Sequence, residues 1–171
     1  MLAVALVLAA CSGEPSAESR PPSTTSPPAT VPDDVGPGEG VLVLGGQATL
    51  LTVRACSLEP ATDPATGIVT ELTLDADDAT GTEVAVTRSS FVGDLPTVTE
   101  TVVVASSDGA ALLAERFDRG GTLIDLRAAG AVAPLIEVDG TLVRAAGVFG
   151  PPDTADGDVD LVEGELVARC P

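Results

Sequence analysis

The sequence predicts an all-β fold: one antiparallel β-sandwich of about nine or ten strands. Three observations lead there. Short apolar or alternating runs recur along residues 41–171 at roughly the 8–12-residue spacing of sandwiches and barrels. Val and Thr, which suit a pleated and half-buried surface, dominate those runs. Gly, Asp and Pro, the usual turn residues, separate them.

The expected strands are 41–44, 48–56, 67–75, 82–91, 97–106, 110–116, 122–127, 134–138, 141–149 and 161–170. Ile68 to Leu74 alternates with period two, so Ile68, Thr70, Leu72 and Leu74 should share one face and Val69, Glu71 and Thr73 the other. Glu83 to Arg88 and Thr97 to Val104 read the same way. Ala110 to Phe117 is ambiguous, because Ala-Leu-Leu-Ala-Glu-Arg also favours a helix that Gly120-Gly121 would cut short. Ile136 to Val143 encloses Asp139-Gly140, a pair suited to a type I′ hairpin whose two turn residues both take positive φ. That turn would set Val138 opposite Thr141 and Ile136 opposite Val143 on the buried face, with Glu137 outside. A 131-residue domain can bury a core of Val, Leu, Ile and Ala without metal or cofactor, and no cofactor is expected.

Composition narrows the chemistry. The chain has no His, Lys, Tyr, Trp or Asn. Without His the commonest general acid/base and metal ligand are missing, and neither a Ser–His–Asp nor a Cys–His arrangement can be built. Schiff-base chemistry on Lys is excluded. Paired carboxylates remain, but the glycosidase clefts that use them are usually lined with aromatics, and this chain has three Phe. No catalytic residues are assigned, and the expectation is a non-enzyme. Net charge is -18, and residues 41–171 hold 21 acidic and 7 basic residues. Such a surface repels phosphate backbones, which Lys and Arg would have to neutralise, so nucleic acid is not an expected partner.

The N-terminus divides into residues 1–10, read as a signal-peptide remnant, and 11–40, a lipidated cysteine with a linker. An apolar stretch from Leu2 to Leu8 precedes small residues Ala9 and Ala10, as in a secretory signal. The first basic residue is Arg20, so the true start codon is expected upstream. Leu8-Ala9-Ala10-Cys11 resembles the lipobox of bacterial lipoproteins. That resemblance implies a diacylglyceryl group on the Cys11 thiol, cleavage just before it, and anchoring on the extracytoplasmic face of the cell membrane. Residues 12–40 are rich in Pro, Ser and Thr, with Val31 their only large apolar side chain before Val35, and should be disordered. Extended at about 3.1 Å per residue, they would reach about 90 Å. Ser23 to Ser26 could accept O-linked sugars, or the segment is a bare spacer.

With Cys11 lipidated, Cys56 and Cys170 form an even pair in an exported protein, which implies a disulfide. No C-x-x-C spacing marks a redox pair. Taken together, Leu8 to Cys11, Val53-Arg54-Ala55-Cys56, Val138-Asp139-Gly140 and Leu166 to Cys170 are similar to the mycobacterial lipoprotein-antigen family. That likeness implies a small envelope lipoprotein without assigned catalysis, recognised by host receptors through its acylated N-terminus.

Two acidic loops, Asp75 to Glu83 and Asp153 to Asp160, offer carboxylates for Ca²⁺, with Asp153, Asp156, Asp158 and Asp160 the better set. Neither follows the EF-hand order, and Asp and Gly are ordinary turn residues, so no metal is assigned. Phe91, Phe117 and Phe149 are expected as core anchors, the other reading being a lipid or glycan pocket. Arg127 and Arg144 are expected to snorkel at strand edges. The expected function is display of a non-enzymatic β-domain that contacts an envelope protein. The alternative is a carrier of a lipid or other apolar small ligand.

Overall fold

A computed structural model describes residues 29–120, 122–125, 135–152 and 161–171. Its strands are β1 (Glu39–Leu44), β2 (Gln47–Ser57), β3 (Ala61–Thr62), β4 (Ile68–Asp77), β5 (Glu83–Phe91), β6 (Thr97–Ala105), β7 (Ala111–Arg119), β8 (Thr122–Asp125), β9 (Ile136–Asp139), β10 (Leu142–Phe149) and β11 (Val162–Arg169). They pair antiparallel in one continuous sheet, in the order β8-β7-β6-β5-β4-β2-β1-β11-β10-β9, with β3 a short addition on β4. The expected two-layer sandwich is therefore replaced by a single sheet, curled into an open half-barrel. Ala111–Arg119 is strand, because its even positions join the buried face of β6 and Val102 pairs with Ala114.

Two features draw the sheet round. Gly147 on β10 and Gly164 on β11 face each other on the concave side. A Cβ on Gly147 would come within 2.6 Å of Leu135, and one on Gly164 within 2.6 Å of the Phe149 ring. The missing side chains thus let bulky neighbours fold inward, as Gly often does where another group approaches closely. The far ends then meet through reciprocal backbone hydrogen bonds between Leu113 of β7 and Gly150, 2.8 and 3.1 Å long. Leu42, Leu72, Leu74, Val84, Val86, Val102, Val143, Phe149 and Leu166 fill the concavity. Phe149 is 1% exposed and is the core anchor expected of it.

Bulges reset the alternation twice. Between Val53 and Ala55 the extra residue is Arg54, and between Thr70 and Leu72 it is Glu71. A bulge opposes two residues to one and shifts which face follows. After Arg54, Cys56 pairs with buried Leu74 and turns toward the core, where Cys170 also packs. The Cys56–Cys170 disulfide forms there, with Cα atoms 5.6 Å apart, an ordinary separation for the bond. The second bulge corrects the expected face assignment: Ile68 and Thr70 pair with Phe91 and Ser89 on the convex side, whereas Leu72 and Leu74 lie inside.

The β9–β10 hairpin turns at Gly140-Thr141, one place later than expected. Gly140 has φ 60°, while the Thr141 carbonyl accepts the Cys170 N–H. Asp139 therefore joins the ladder opposite Leu142, Val138 faces Val143, and Ile136 faces Ala145. Ile136 is buried, but Val138, at the tip, is 42% exposed.

Ordered contacts also reach back before β1. Arg169 donates to the Val35 carbonyl at 2.9 Å and pairs with Asp34 at 2.5 Å. Arg144 donates to the Asp33 carbonyl rather than only snorkelling, and Ala29 N–H reaches the Gly46 carbonyl at 3.1 Å. These bonds lay residues 29–38 along the sheet near β10 and β11. Residues 1–28, including Cys11, lie outside the described residues, as does Arg127.

Candidate functional site

The convex side carries an open groove of about 790 Å³ lined by Phe91, Gly93, Asp94, Leu95, Thr97, Thr99, Phe117 and Arg119. Strand parity places these residues together. On β5, β6 and β7 the even positions Val84, Val86, Val102, Ala114 and Arg116 are buried, so the odd positions face outward. In register, Thr97 stands between Phe91 and Arg119, and Thr99 faces Phe117. Directly opposed side chains have Cβ atoms about 5 Å apart. The strand spacing of about 4.8 Å then puts Phe91 and Arg119 roughly 10 Å apart on opposite flanks of the floor.

The β5–β6 connection forms the groove's rim. Gly93 passes so near the Phe91 ring that an added Cβ would lie 2.5 Å from it. Leu95 leans toward Gly120, whose N–H donates to the Pro96 carbonyl at 2.8 Å and ties the two neighbouring turns together. Ile68, brought to this side by the Glu71 bulge, pairs with Phe91. Phe91 and Leu95 remain 43% and 53% exposed, and Phe117 is half-buried. Phe91 and Phe117 are therefore groove residues and not the core anchors expected. The groove's volume falls in the 300–1,000 Å³ range of small-molecule sites, although it lies wide open to solvent, and its lining joins two phenylalanines and Leu95 to a few polar groups.

A second feature lies inside, and the sequence reading did not single it out. Arg88, Glu100 and Arg116 occupy one cross-strand row on β5, β6 and β7, and Asp125 holds the next register position on β8. Glu100 and Arg116 are 5% and 3% exposed. One Glu100 carboxylate oxygen lies 3.7 Å from Arg88 Nε. The other accepts the N–H groups of Leu135 and Ile136 at 2.8 and 3.4 Å. Arg88 also reaches Glu71 of the bulge at 3.3 Å. The carboxylate thus ties the start of β9 to β6, spanning the mouth of the half-barrel. Period two offered a signal, since each charged residue continues the parity of the valines or alanine before or after it.

The acidic loop at Asp75 to Glu83 is occupied by its own turn. Asp77 pairs with Arg54 at 2.8 Å. Asp78 accepts from Thr80 Oγ1 and from the N–H groups of Thr80 and Thr82, and these bonds hold its carboxyl down at about 2. Among the described residues no three Cys, Asp or Glu converge to hold a metal ion. Asp153, Asp156, Asp158 and Asp160 lie outside the described residues. No family model, curated protein or solved structure matches the chain.

Proposed function

We propose that this chain is a lipid-anchored extracytoplasmic carrier, holding an apolar small ligand in the groove between Phe91, Leu95 and Phe117. The observation behind the reading is that two of the chain's three phenylalanines sit outside the core around one concavity. Large apolar side chains left together at a surface commonly mark a binding site. Their arrangement around a hollow favours a small molecule over the flat contact with an envelope protein that display would need. With no His, Lys or Tyr in the chain, the domain holds its ligand and does not transform it. Cys11 supplies the anchor, its mature N-terminus carrying acyl chains.

Native mass spectrometry of full-length protein extracted from membranes is the test. Wild-type protein should hold apolar mass beyond the acyl anchor, and F91S/F117S should lose it. Retention of the same mass by that variant, with the far-UV circular dichroism unchanged, would overturn the reading.

A further inference from the structure

We infer that the groove's ligand is an amphiphile with an anionic head, anchored by the Arg119 guanidinium; the inference rests on the carrier reading and adds the head group's charge. Acids outnumber bases 26 to 8 in this chain, so an arginine readily finds a carboxylate. Arg54 pairs with Asp77, Arg88 with Glu71 and Arg169 with Asp34, while Arg144 donates to the Asp33 carbonyl and Arg116 is engaged in the interior. Among the described residues the Arg119 side chain alone of the arginine side chains makes no ion pair or hydrogen bond, and it is the one that lines the groove.

Its position supplies the rest. Arg119 sits across Thr97 from Phe91, and Phe117 is two residues away along β7. The floor therefore runs from an aromatic flank, over two threonine hydroxyls, to a cation. A ligand with its apolar body against Phe91, Leu95 and Phe117 places a carboxylate or sulfonate within reach of Arg119. Thr99 can donate to the same head, while the Thr97 hydroxyl donates to the Leu95 carbonyl at 3.2 Å and shapes the rim. Asp94, on the rim, disfavours a second negative charge, which points to a monoanion. The chain's net negative charge does not forbid this, because exposed charges beyond a Debye length of about 8 Å are largely screened.

Two probes sharing one ring system separate the head from the body: anilinonaphthalene sulfonate and the uncharged phenylnaphthylamine. The protein has no Trp or Tyr, so fluorescence titration of the full-length protein has little intrinsic background. Arg119→Gln should weaken the sulfonate about three- to tenfold and leave the neutral probe unchanged, the scale of one partly exposed charge-assisted contact. Arg119→Lys should retain most of the sulfonate affinity. Arg54→Gln, which removes the same charge far from the groove, should change neither. Phe91→Ser should weaken both. If Arg119→Gln weakens neither probe, or both alike, the anionic head is overturned while the carrier reading stands. If neither probe binds the wild type, or Phe91→Ser leaves both unchanged, the groove itself is overturned, and the inference with it.

Discussion

Replacing Glu100 with Ala should cost about 3–5 kcal/mol of stability. The side chain is 5% exposed and does two things at once. Its negative charge sits between Arg88 and Arg116 in the cross-strand row, with Arg116 only 3% exposed. Its second oxygen satisfies the Leu135 N–H at 2.8 Å. Breaking a buried ion pair from one side leaves the remaining charge in a low-dielectric site and typically costs about 3–5 kcal/mol. An unsatisfied buried N–H costs about 1–3 kcal/mol more, although the two losses overlap and do not add fully. Arg88 is 34% exposed at its side chain and can turn to water, so the ion-pair part of the penalty sits at the low end of its range. Domains of this kind have about 5–15 kcal/mol in total, so the variant should sit close to unfolding. At roughly 3–4 °C per kcal/mol, its midpoint should drop by about 10–20 °C. Urea titration followed by far-UV circular dichroism measures it. Glu100→Gln keeps an amide oxygen for the Leu135 N–H and should fall between the two. A loss below about 1 kcal/mol for the Ala variant would refute the reasoning, since the charge row would then be solvated and the Leu135 N–H bonded elsewhere.

Other perturbations test separate parts of the structure. Cys56→Ser with Cys170→Ser opens a covalent closure of 114 residues and should cost up to about 4–5 kcal/mol, read as a lower urea midpoint that reductant produces equally in the wild type. Gly164→Ala drives a methyl into the Phe149 ring and Leu44 and should cost about 1–3 kcal/mol, measured by the same titration. The Asp78 carboxyl, lowered from 3.8 to about 2 in the fold, stabilises above the unfolded value. That contribution should be lost as pH falls from about 4 to about 2. Asp78→Asn lacks it, so its melting temperature should decline less steeply than the wild type's over that window; parallel curves would count against the Asx-type turn.

Much of the fold was legible because strands advertise themselves by period two. The runs at 97–106, 110–116 and 141–149 match β6, β7 and β10 closely, and the cysteine pair followed from an even count. What escaped was whatever interrupts the period. Arg54 and Glu71 are ordinary strand residues by type, and nothing local marks them as bulges, yet they decide that Cys56 points inward and Ile68 outward. The turn at Gly140-Thr141 moved by one place because the Thr141 carbonyl is engaged by Cys170, 29 positions away in sequence. Core and groove were confused for a related reason. Phe91 and Phe117 are as apolar as Phe149, and only their odd parity beside buried Val84, Val86 and Ala114 separates them. Glu100 and Arg116 illustrate the converse: composition places charges at a surface, whereas register commits these two to the interior.

The strand order also dictates when the molecule can become itself. Among the described residues β11 follows every other strand in the chain, yet it is an interior strand, bonded to β1 on one side and β10 on the other. Strands β4 to β8 are sequential neighbours and can assemble as successive hairpins from local contacts. β1 must wait with one side bare until Gly40 meets Ala168. A chain that stalls or is clipped before Val162 would therefore lack a middle stave and not a trailing fringe, and would present open edges at β1 and β10 to its neighbours.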